Sequence, residues 1–404
     1  MKILVLSTWF PYPVNQGSKI RAYHLIKALS KQHRIVLISY EDQPIKEEWL
    51  THMKQFCEDI VIVHRKPFEY KRINTMLGFF STKPSAVYAG YSKEMERTVI
   101  ETAKKWLPDI VFALTFVTAP YALKVPNTKR IVDVDNLLAE MLKEDILFAK
   151  NTLQKFRRYL AYLKFRHYED KIYSPFDRCL VVSDQDKTKF QSYTATNFDQ
   201  IWNIPNGVDA DFLKPAIKIK NKNQLIYNGA LTYQPNFDAM VYFLSEIFPL
   251  IQKEIPESKL KITGKTDGVA VEQLPVNEKV MFTGYVDDIR PLVAASEICV
   301  VPLRQGAGTR LKILESMALG TAVVSTTKGA EGLDLQAGVH LLIADNPEAF
   351  SDATLKLLND PQLRSDLEQQ ARKHIELKYD WKLIGDQFNI QVNQLMNNKG
   401  VEQS

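Results

Sequence analysis

The sequence predicts an α/β protein made of two doubly wound parallel sheets. Three observations carry this. Short apolar runs recur along the 404 residues, they alternate with stretches of helical periodicity, and the scheme plays twice, on either side of a stretch broken by Pro, Asn and Gly at 204–223. Strands buried on both faces read as continuous apolar runs rather than as alternating ones, and helices between them mark parallel units. An apolar content of 45% supplies two cores.

The first half opens with KILVLS (2–7) and continues through RIVLIS (34–39), DIVIVH (59–64), DIVFAL (109–114), KRIVDVD (129–135) and RCLVVS (178–183). Between the first two lies KIRAYHLIKALSK (19–31), where Ile20, Tyr23, Leu25, Ile26 and Leu29 recur at helical spacing. The second half repeats the order with QLIYNG (224–229), KLKITGK (259–265), KVMFTGY (279–285), EICVVPL (297–303), TAVVSTT (321–327) and HLLIAD (340–345). Pro205, Asn206-Gly207 and Pro215 place the boundary, giving a first domain at 1–205 and a second at 206–380. WKLIGDQFNIQVNQLM (381–396) is a final helix, and NNKGVEQS a frayed tail.

Composition narrows the class. Cys57, Cys179 and Cys299 lie far apart, with neither metal-type spacing nor a disulfide framework, so a reducing, cytoplasmic setting is expected. MKILVLSTWFPYPV is cut by prolines too early for a secretory leader, and no run is long and apolar enough to span a membrane. Charge is uneven: residues 1–205 carry 31 Lys+Arg against 22 Asp+Glu, and residues 206–404 carry 21 against 25. A basic first half and a mildly acidic second half suggest different partners for each, although an uneven surface without meaning would look the same. No nucleic-acid partner is expected.

The stretch QGAGTRLKILESMALG (305–320) follows the strand EICVVPL. Ligands of open α/β sheets sit beyond the carboxyl ends of their strands. Gly306 and Gly308 flank Ala307 and let a ligand approach the backbone, and the helix expected from Thr309 or Arg310 turns unpaired N–H groups, Leu311 among them, toward that spot. Arg310 offers a fork of donors and Lys312 a point charge, both suited to a diphosphate. Glu315, one turn later, suits vicinal ribose hydroxyls. A Lys–Glu surface pair beside turn glycines is the plainer alternative. The mixture reads as a binder of a nucleotide diphosphate.

At this point the chain resembles the family 4 glycosyltransferases, retaining enzymes of the GT-B fold. The resemblance rests on the first strand and Gly17 loop, VVSDQD (181–186), NIPNGVDADFLKP (203–215), YNGALTYQPN (227–236), TGYVDDIRPLVAASEICVVPL (283–303) and GAGTRLKILESMALGTAVVSTTKGAEGL (306–333). It implies two Rossmann-like domains facing a central cleft, with the donor held mainly by the second and the acceptor by the first. The last helix, 381–396, would return to the first domain. Glu315 matches the second Glu of the family's paired-glutamate motif, which binds ribose, whereas the first falls on Ala307. Arg310 and Lys312 then replace cations common elsewhere in the family, as in a subgroup with a GGGTRLK-like loop. Donor contacts are further expected from Gly17, Asn228, Gly229, Lys265, Tyr285 and Val286, the last two at the nucleobase, and from residues 306 to 312 together with Glu315. Arg21 is the acceptor candidate. None of the seven histidines lies between 64 and 167, where the family places one near the transferring sugar, and Asp135 is assigned that position. An Asp capping the next helix is the alternative.

The expected activity is therefore retaining transfer of a sugar from a nucleotide-diphosphate sugar to a hydroxyl acceptor, a sugar, glycan or lipid-linked molecule, in cell-surface polysaccharide or glycolipid assembly. Arg310, Lys312 and Asp135 are the candidate catalytic groups. No cofactor or metal is expected, since Asp-x-Asp occurs three times (133–135, 184–186, 209–211) and is too common here to mark a metal site. The absent first Glu and the absent His also fit a member that binds a nucleotide sugar or a partner without turnover. The alternative enzyme class is a GT-B sugar-nucleotide epimerase, which would need more carboxylates and histidines in the cleft, or a phosphorylase, which would need a second phosphate site. Finally, KNTLQKFRRYLAYLKFRHYEDKI (150–172) holds seven Lys/Arg against two acids, with aromatics at near-helical spacing. It suits transient contact with an anionic membrane at its inner face, or a core-facing helix with a wet basic side.

Overall fold

The computed structural model of the chain describes residues 1–41, 43–64, 84, 87, 91–149, 151–214, 220–306 and 308–397. It divides into two compact units, one of 1–205 with 384–404 and one of 206–383.

In the first unit, β1 (Lys2–Ser7), β2 (Arg34–Glu41), β3 (Asp59–His64), β4 (Ile110–Leu114), β5 (Lys129–Asp133), β6 (Arg178–Val181) and β7 (Ile201–Asn203) form one sheet in the order β3-β2-β1-β4-β5-β6-β7. Every pairing is parallel, with Leu4 opposite Val36 on one side and Val111 on the other. β1 and β4 are buried almost throughout, which is why they read as unbroken apolar runs. The helix Gly17–Ser30 follows β1, and the helix Trp381–Asn397 meets it through Gly385 and Asn389. Asn389 Nδ2 donates to the Ala28 carbonyl at 2.7 Å, and a Cβ on Gly385 would lie 2.6 Å from that of Ala28, so the two helices touch where no side chain intervenes.

In the second unit, β8 (Gln224–Asn228), β9 (Lys259–Thr263), β10 (Val280–Gly284), β11 (Ile298–Val301), β12 (Ala322–Ser325) and β13 (Leu342–Ile343) form a second parallel sheet in the order β10-β9-β8-β11-β12-β13. Its core gathers Leu225, Ile226, Val300, Val301, Ile313, Leu314 and Met317. Val208 closes the unit on its last segment, donating to the Tyr379 carbonyl at 2.8 Å and accepting from the Trp381 amide at 3.0 Å.

Each sheet reverses its direction of growth once. The strands β2 and β4 flank β1, and β9 and β11 flank β8. In such sheets the loops at the two strands where the order reverses part, and leave a crevice at the carboxyl edge. The fold thus points to the loops after β1 and β4, and to those after β8 and β11.

Candidate active site

At the second sheet's switch point the loop after β11 carries the glycines singled out in the sequence. Gly306 has φ +102° and Gly308 φ +83°, conformations that favour glycine, and a Cβ on Gly306 would meet Pro235 at 3.0 Å. Ala307 lies outside the described residues. Thr309 Oγ1 accepts from Asn206 Nδ2 at 3.0 Å. The helix itself runs Leu311–Ala318, with Arg310 as its N-cap residue.

Arg310 departs from expectation. Its guanidinium is buried and folds back on its own loop, Nη1 donating to the Gly308 carbonyl at 3.0 Å and Nη2 to that of Gly306 at 2.6 Å. Rather than holding its fork out toward a phosphate, it braces the two glycine carbonyls and so sets where the loop's backbone stands.

Lys312 and Glu315 share a face but not a bond. Lys312 Nζ donates to Tyr227 Oη at 2.8 Å and to Asn236 Oδ1 at 2.9 Å, and stands 4.0 Å from the centre of the Tyr227 ring. Tyr227 Oη in turn donates to Asn236 Oδ1 at 2.7 Å, and Asn236 Nδ2 to the Ala230 carbonyl at 2.8 Å. Burial pushes the Lys312 ammonium down to about 7, an effect that Arg310 increases and Glu315 opposes. Glu315 is likewise raised by burial, against the pull of Lys312 and of Asn228, whose Nδ2 donates to Oε2 at 3.2 Å. Asn228 Oδ1 accepts from the buried Cys299 thiol at 3.4 Å, which fixes the amide's orientation. Two opposite charges are thus held a turn apart by neutral partners, each keeping some contact with solvent.

Gly229, next to Asn228, leaves room for this arrangement: a Cβ there would lie 2.6 Å from Lys312 Nζ and 3.0 Å from Asn236 Nδ2. The residue expected to admit phosphates is thus also the one that makes room for the lysine. Tyr285 and Val286 follow β10, with the Tyr285 side chain exposed and the Lys265 ammonium 5.6 Å from its ring. These three belong to the loops at the same sheet edge. Asn236 and Tyr227 were missed by sequence reasoning: Tyr227 reads as a core position of β8, and Asn236 as a turn residue after Pro235.

In the first unit the switch point holds an open pocket of about 130 Å³, lined by Trp9, Ser18, Thr115, Phe116, Asp135 and Asn136 among others. Asp135 lies two residues beyond the end of β5 rather than ending it. Its Oδ2 accepts from Ser18 Oγ at 2.9 Å and from Asn136 Nδ2 at 3.0 Å. Leu137 takes the N-cap position of the next helix, so Asp135 is spent on the pocket wall and not on that cap. Gly17 opens the helix after β1 and is exposed. Thr115, at φ +76°, turns the chain after β4, a strained residue with no signal in sequence.

Arg21 is a correction. It is buried, with Nε 2.8 Å from Asp133 Oδ2, Nη2 2.7 Å from Oδ1, and Nη1 donating to the Ile204 carbonyl at 2.8 Å. A guanidinium committed to β5 and to the segment after β7 is a brace of the first unit, not an acceptor contact. Asp133 is thereby taken as well. The other acidic triplets have local work: Ser183 donates to Asp186 at the start of one helix, and Asp209 Oδ1 accepts from the Phe212 amide. Among the described residues no group of His, Cys, Asp or Glu is arranged to hold a metal ion, and no helix is long and apolar enough to cross a membrane.

Comparison with known proteins bears on the fold. Residues 222–360 match the family described as glycosyl transferases group 1. Over 95% of its length the chain is 23% identical to an uncharacterized 44.6 kDa protein in the cps region of Klebsiella pneumoniae, covering 97% of that protein. Over 46% of its length it is 22% identical to a GDP-mannose-dependent monoacylated alpha-(1-6)-phosphatidylinositol monomannoside mannosyltransferase of Corynebacterium glutamicum, covering 54% of that enzyme. Among solved structures, Anabaena HepE in complex with UDP and glucose superposes with a TM-score of 0.70 at 15% identity, covering 98% of this chain and 100% of that one. Residues 222–360, in the second unit, are thus similar to the glycosyl transferases group 1 family, and the two parallel-sheet units have the GT-B fold.

Proposed function

We propose that the chain is a retaining, metal-independent glycosyltransferase that moves a sugar from a nucleotide-diphosphate sugar to a hydroxyl of a sugar, glycan or lipid-linked acceptor, in cell-surface polysaccharide or glycolipid assembly. The observation that carries the reading is the second sheet's switch point. There an ammonium and a carboxylate, each held by neutral partners, stand behind a loop of two positive-φ glycines.

Chemistry assigns the parts. The amides of the loop and of the first helical turn, with Lys312, stabilise the charge that gathers on the departing diphosphate, where fixed donors act most strongly. Arg310 holds those amides in place through the Gly306 and Gly308 carbonyls. Glu315, oriented by Asn228, accepts from the ribose hydroxyls. The bond from the sugar's anomeric carbon to the phosphate oxygen breaks, and the acceptor oxygen bonds that carbon on the same face. The acceptor's proton leaves with the phosphate oxygen, so no separate base is needed. Asp135 is the carboxylate assigned, on the family resemblance, to favour positive charge on the transferring sugar. The resemblance to a GDP-mannose enzyme and to a protein crystallised with UDP leaves the base to experiment.

The test is thermal unfolding with UDP, GDP, ADP and CDP, each with magnesium and with chelator, on the wild type and on Glu315→Gln. A ligand at 100 times its Kd stabilises by about 2.7 kcal/mol. One nucleotide is expected to raise the transition equally with and without metal, and the variant to lose that rise. If none of the four acts, or if the rise survives in the variant, the assignment fails. Transfer from the selected nucleotide's sugars then tests turnover.

A further inference from the structure

The stretch 150–172 was expected either on a membrane or in the core. Apart from Lys150, which lies outside the described residues, it forms the helix Thr152–Tyr173, and the structure separates its faces. One face packs on the first unit: Phe165 meets Phe116 edge to face at 6.2 Å, and Tyr168 and Glu169 are buried. Glu169 holds the preceding helix, Leu138–Leu147, accepting from the Leu138 and Ala139 amides at 3.1 and 3.2 Å.

The other face carries Leu153, Phe156, Tyr159 and Leu163, exposed at 69, 56, 48 and 39%. At 3.6 residues per turn these four fall within about 120° of the helix circumference, a stripe rather than a scatter. The neighbouring helix ends on Leu147 and Phe148, exposed at 80 and 46%. A contiguous apolar stripe of this size marks an interaction surface.

Charge identifies what it faces. Residues 152–166 hold Lys155, Arg157, Arg158, Lys164 and Arg166 and no carboxylate. By helical angle, Arg157 and Lys164 border the stripe on one side, and Lys155 and Arg166 on the other. Glu140, Glu144 and Asp145 on the neighbouring helix leave the hairpin 138–166 net positive. An apolar stripe rimmed by long cationic side chains matches a bilayer surface, where the rings and leucines enter the acyl boundary and the cations meet lipid phosphates. A stripe that pairs with a second copy of itself would bring these cations against their own kind.

We infer that the face Leu153–Phe156–Tyr159–Leu163 docks on an anionic membrane surface. Docking there holds the first unit, whose pocket contains Asp135, at the plane of the lipid headgroups. This inference is independent of the nucleotide site and is tested without it.

The experiment is co-sedimentation of the full chain with phosphatidylcholine vesicles, and with vesicles of phosphatidylcholine and phosphatidylglycerol in equal parts, at low and high salt. The wild type is expected to sediment with the anionic vesicles, and salt to weaken that binding. Leu153→Gln/Phe156→Gln, at exposed positions outside any site described above, should lose binding more than about tenfold while melting as the wild type does. Arg157→Gln/Lys164→Gln should lose the preference for anionic over neutral vesicles. The inference is overturned if the wild type sediments with neither vesicle, or if the apolar variant binds as well as the wild type. It is also overturned if the wild type is a dimer in sedimentation velocity that the apolar variant dissolves, since the stripe is then an interface between copies.

Discussion

Lys312 gives the sharpest prediction, because its charge state couples to the ligand. Burial takes its ammonium from 10.5 to about 7. Keeping the charge in the free protein therefore costs about 5 kcal/mol relative to an exposed lysine. At pH 8 only about a tenth of the free molecules carry it. A diphosphate set beside Nζ favours the charged form and raises the pKa again, so binding at pH 8 should take up close to one proton per nucleotide. The terminal phosphate of the nucleotide, with a pKa of about 6, is already ionised there and does not confuse the count. Affinity should weaken by up to about tenfold per pH unit above 7 and level off below it. The assay is titration calorimetry in two buffers of different ionisation enthalpy, on the wild type and on Lys312→Met. Uptake in the wild type and none in the variant is expected. No uptake in either, or equal uptake in both, would refute the reasoning. Stability follows the same linkage: the unfolded lysine holds its proton between pH 7 and 10.5 while the folded one has lost it, so the wild type should gain stability relative to Lys312→Met as pH rises through that window.

Further consequences concern packing and buried charge. Gly229→Ala puts a Cβ 2.6 Å from Lys312 Nζ and 3.0 Å from Asn236 Nδ2; it should cost about 1–3 kcal/mol and weaken nucleotide binding with it, read by urea unfolding and by the same calorimetry. Arg21→Met strands the buried Asp133 carboxylate and should cost about 3–5 kcal/mol, whereas Arg21→Met/Asp133→Leu should recover most of it, measured by urea midpoints. Glu169, fully buried, is pushed up to about 7 by burial, with the Tyr193 hydroxyl and the two helix amides pulling the other way. Its folded pKa exceeds the unfolded one, so between about pH 4.5 and 7 the wild type should lose about 3 kcal/mol relative to Glu169→Gln, a slope visible in the difference between their unfolding midpoints at pH 5 and pH 8.

The fold was legible because its central strands are buried on both faces and even the half-exposed edge strand β3 is an unbroken apolar run. KILVLS, DIVIVH and QLIYNG need no partner to be recognised: an unbroken run of branched apolar residues between helical stretches has few other uses. They became β1 (Lys2–Ser7), β3 (Asp59–His64) and β8 (Gln224–Asn228), with at most one residue trimmed. KRIVDVD overran its strand by two residues, since β5 stops at Asp133, where the side chain turns to Arg21. IWN (201–203) was not read at all. A three-residue edge strand is defined by its pairing with β6, and pairing leaves no periodicity in so short a run.

The site was legible in its positions and not in its partners, and the difference is physical. Spacing on a helix can say that Lys312 and Glu315 share a face, because 3.6 residues per turn is a property of the backbone. It cannot say whether they bond to each other, because that depends on which polar atoms a neighbouring strand presents. Here β8 presents Tyr227 and Asn228, and the helix after it brings Asn236. Neutral oxygens hold the ammonium and a neutral amide holds the carboxylate. Had the two charges bonded, each would have satisfied the other, and neither would be available to a ligand. The same reasoning explains Arg21 and Arg310. A guanidinium read from sequence is a donor in search of an acceptor, and its nearest buried acceptors take it first: Asp133 for Arg21, the glycine carbonyls for Arg310. Lysine and glutamate at this switch point escape that outcome because the room made by Gly229 lets neutral groups reach them. On this argument the glycine and the asparagines define the site as much as the charges do, and a substitution such as Asn236→Asp, which gives Lys312 a carboxylate partner, should weaken diphosphate binding while the ammonium itself remains in place.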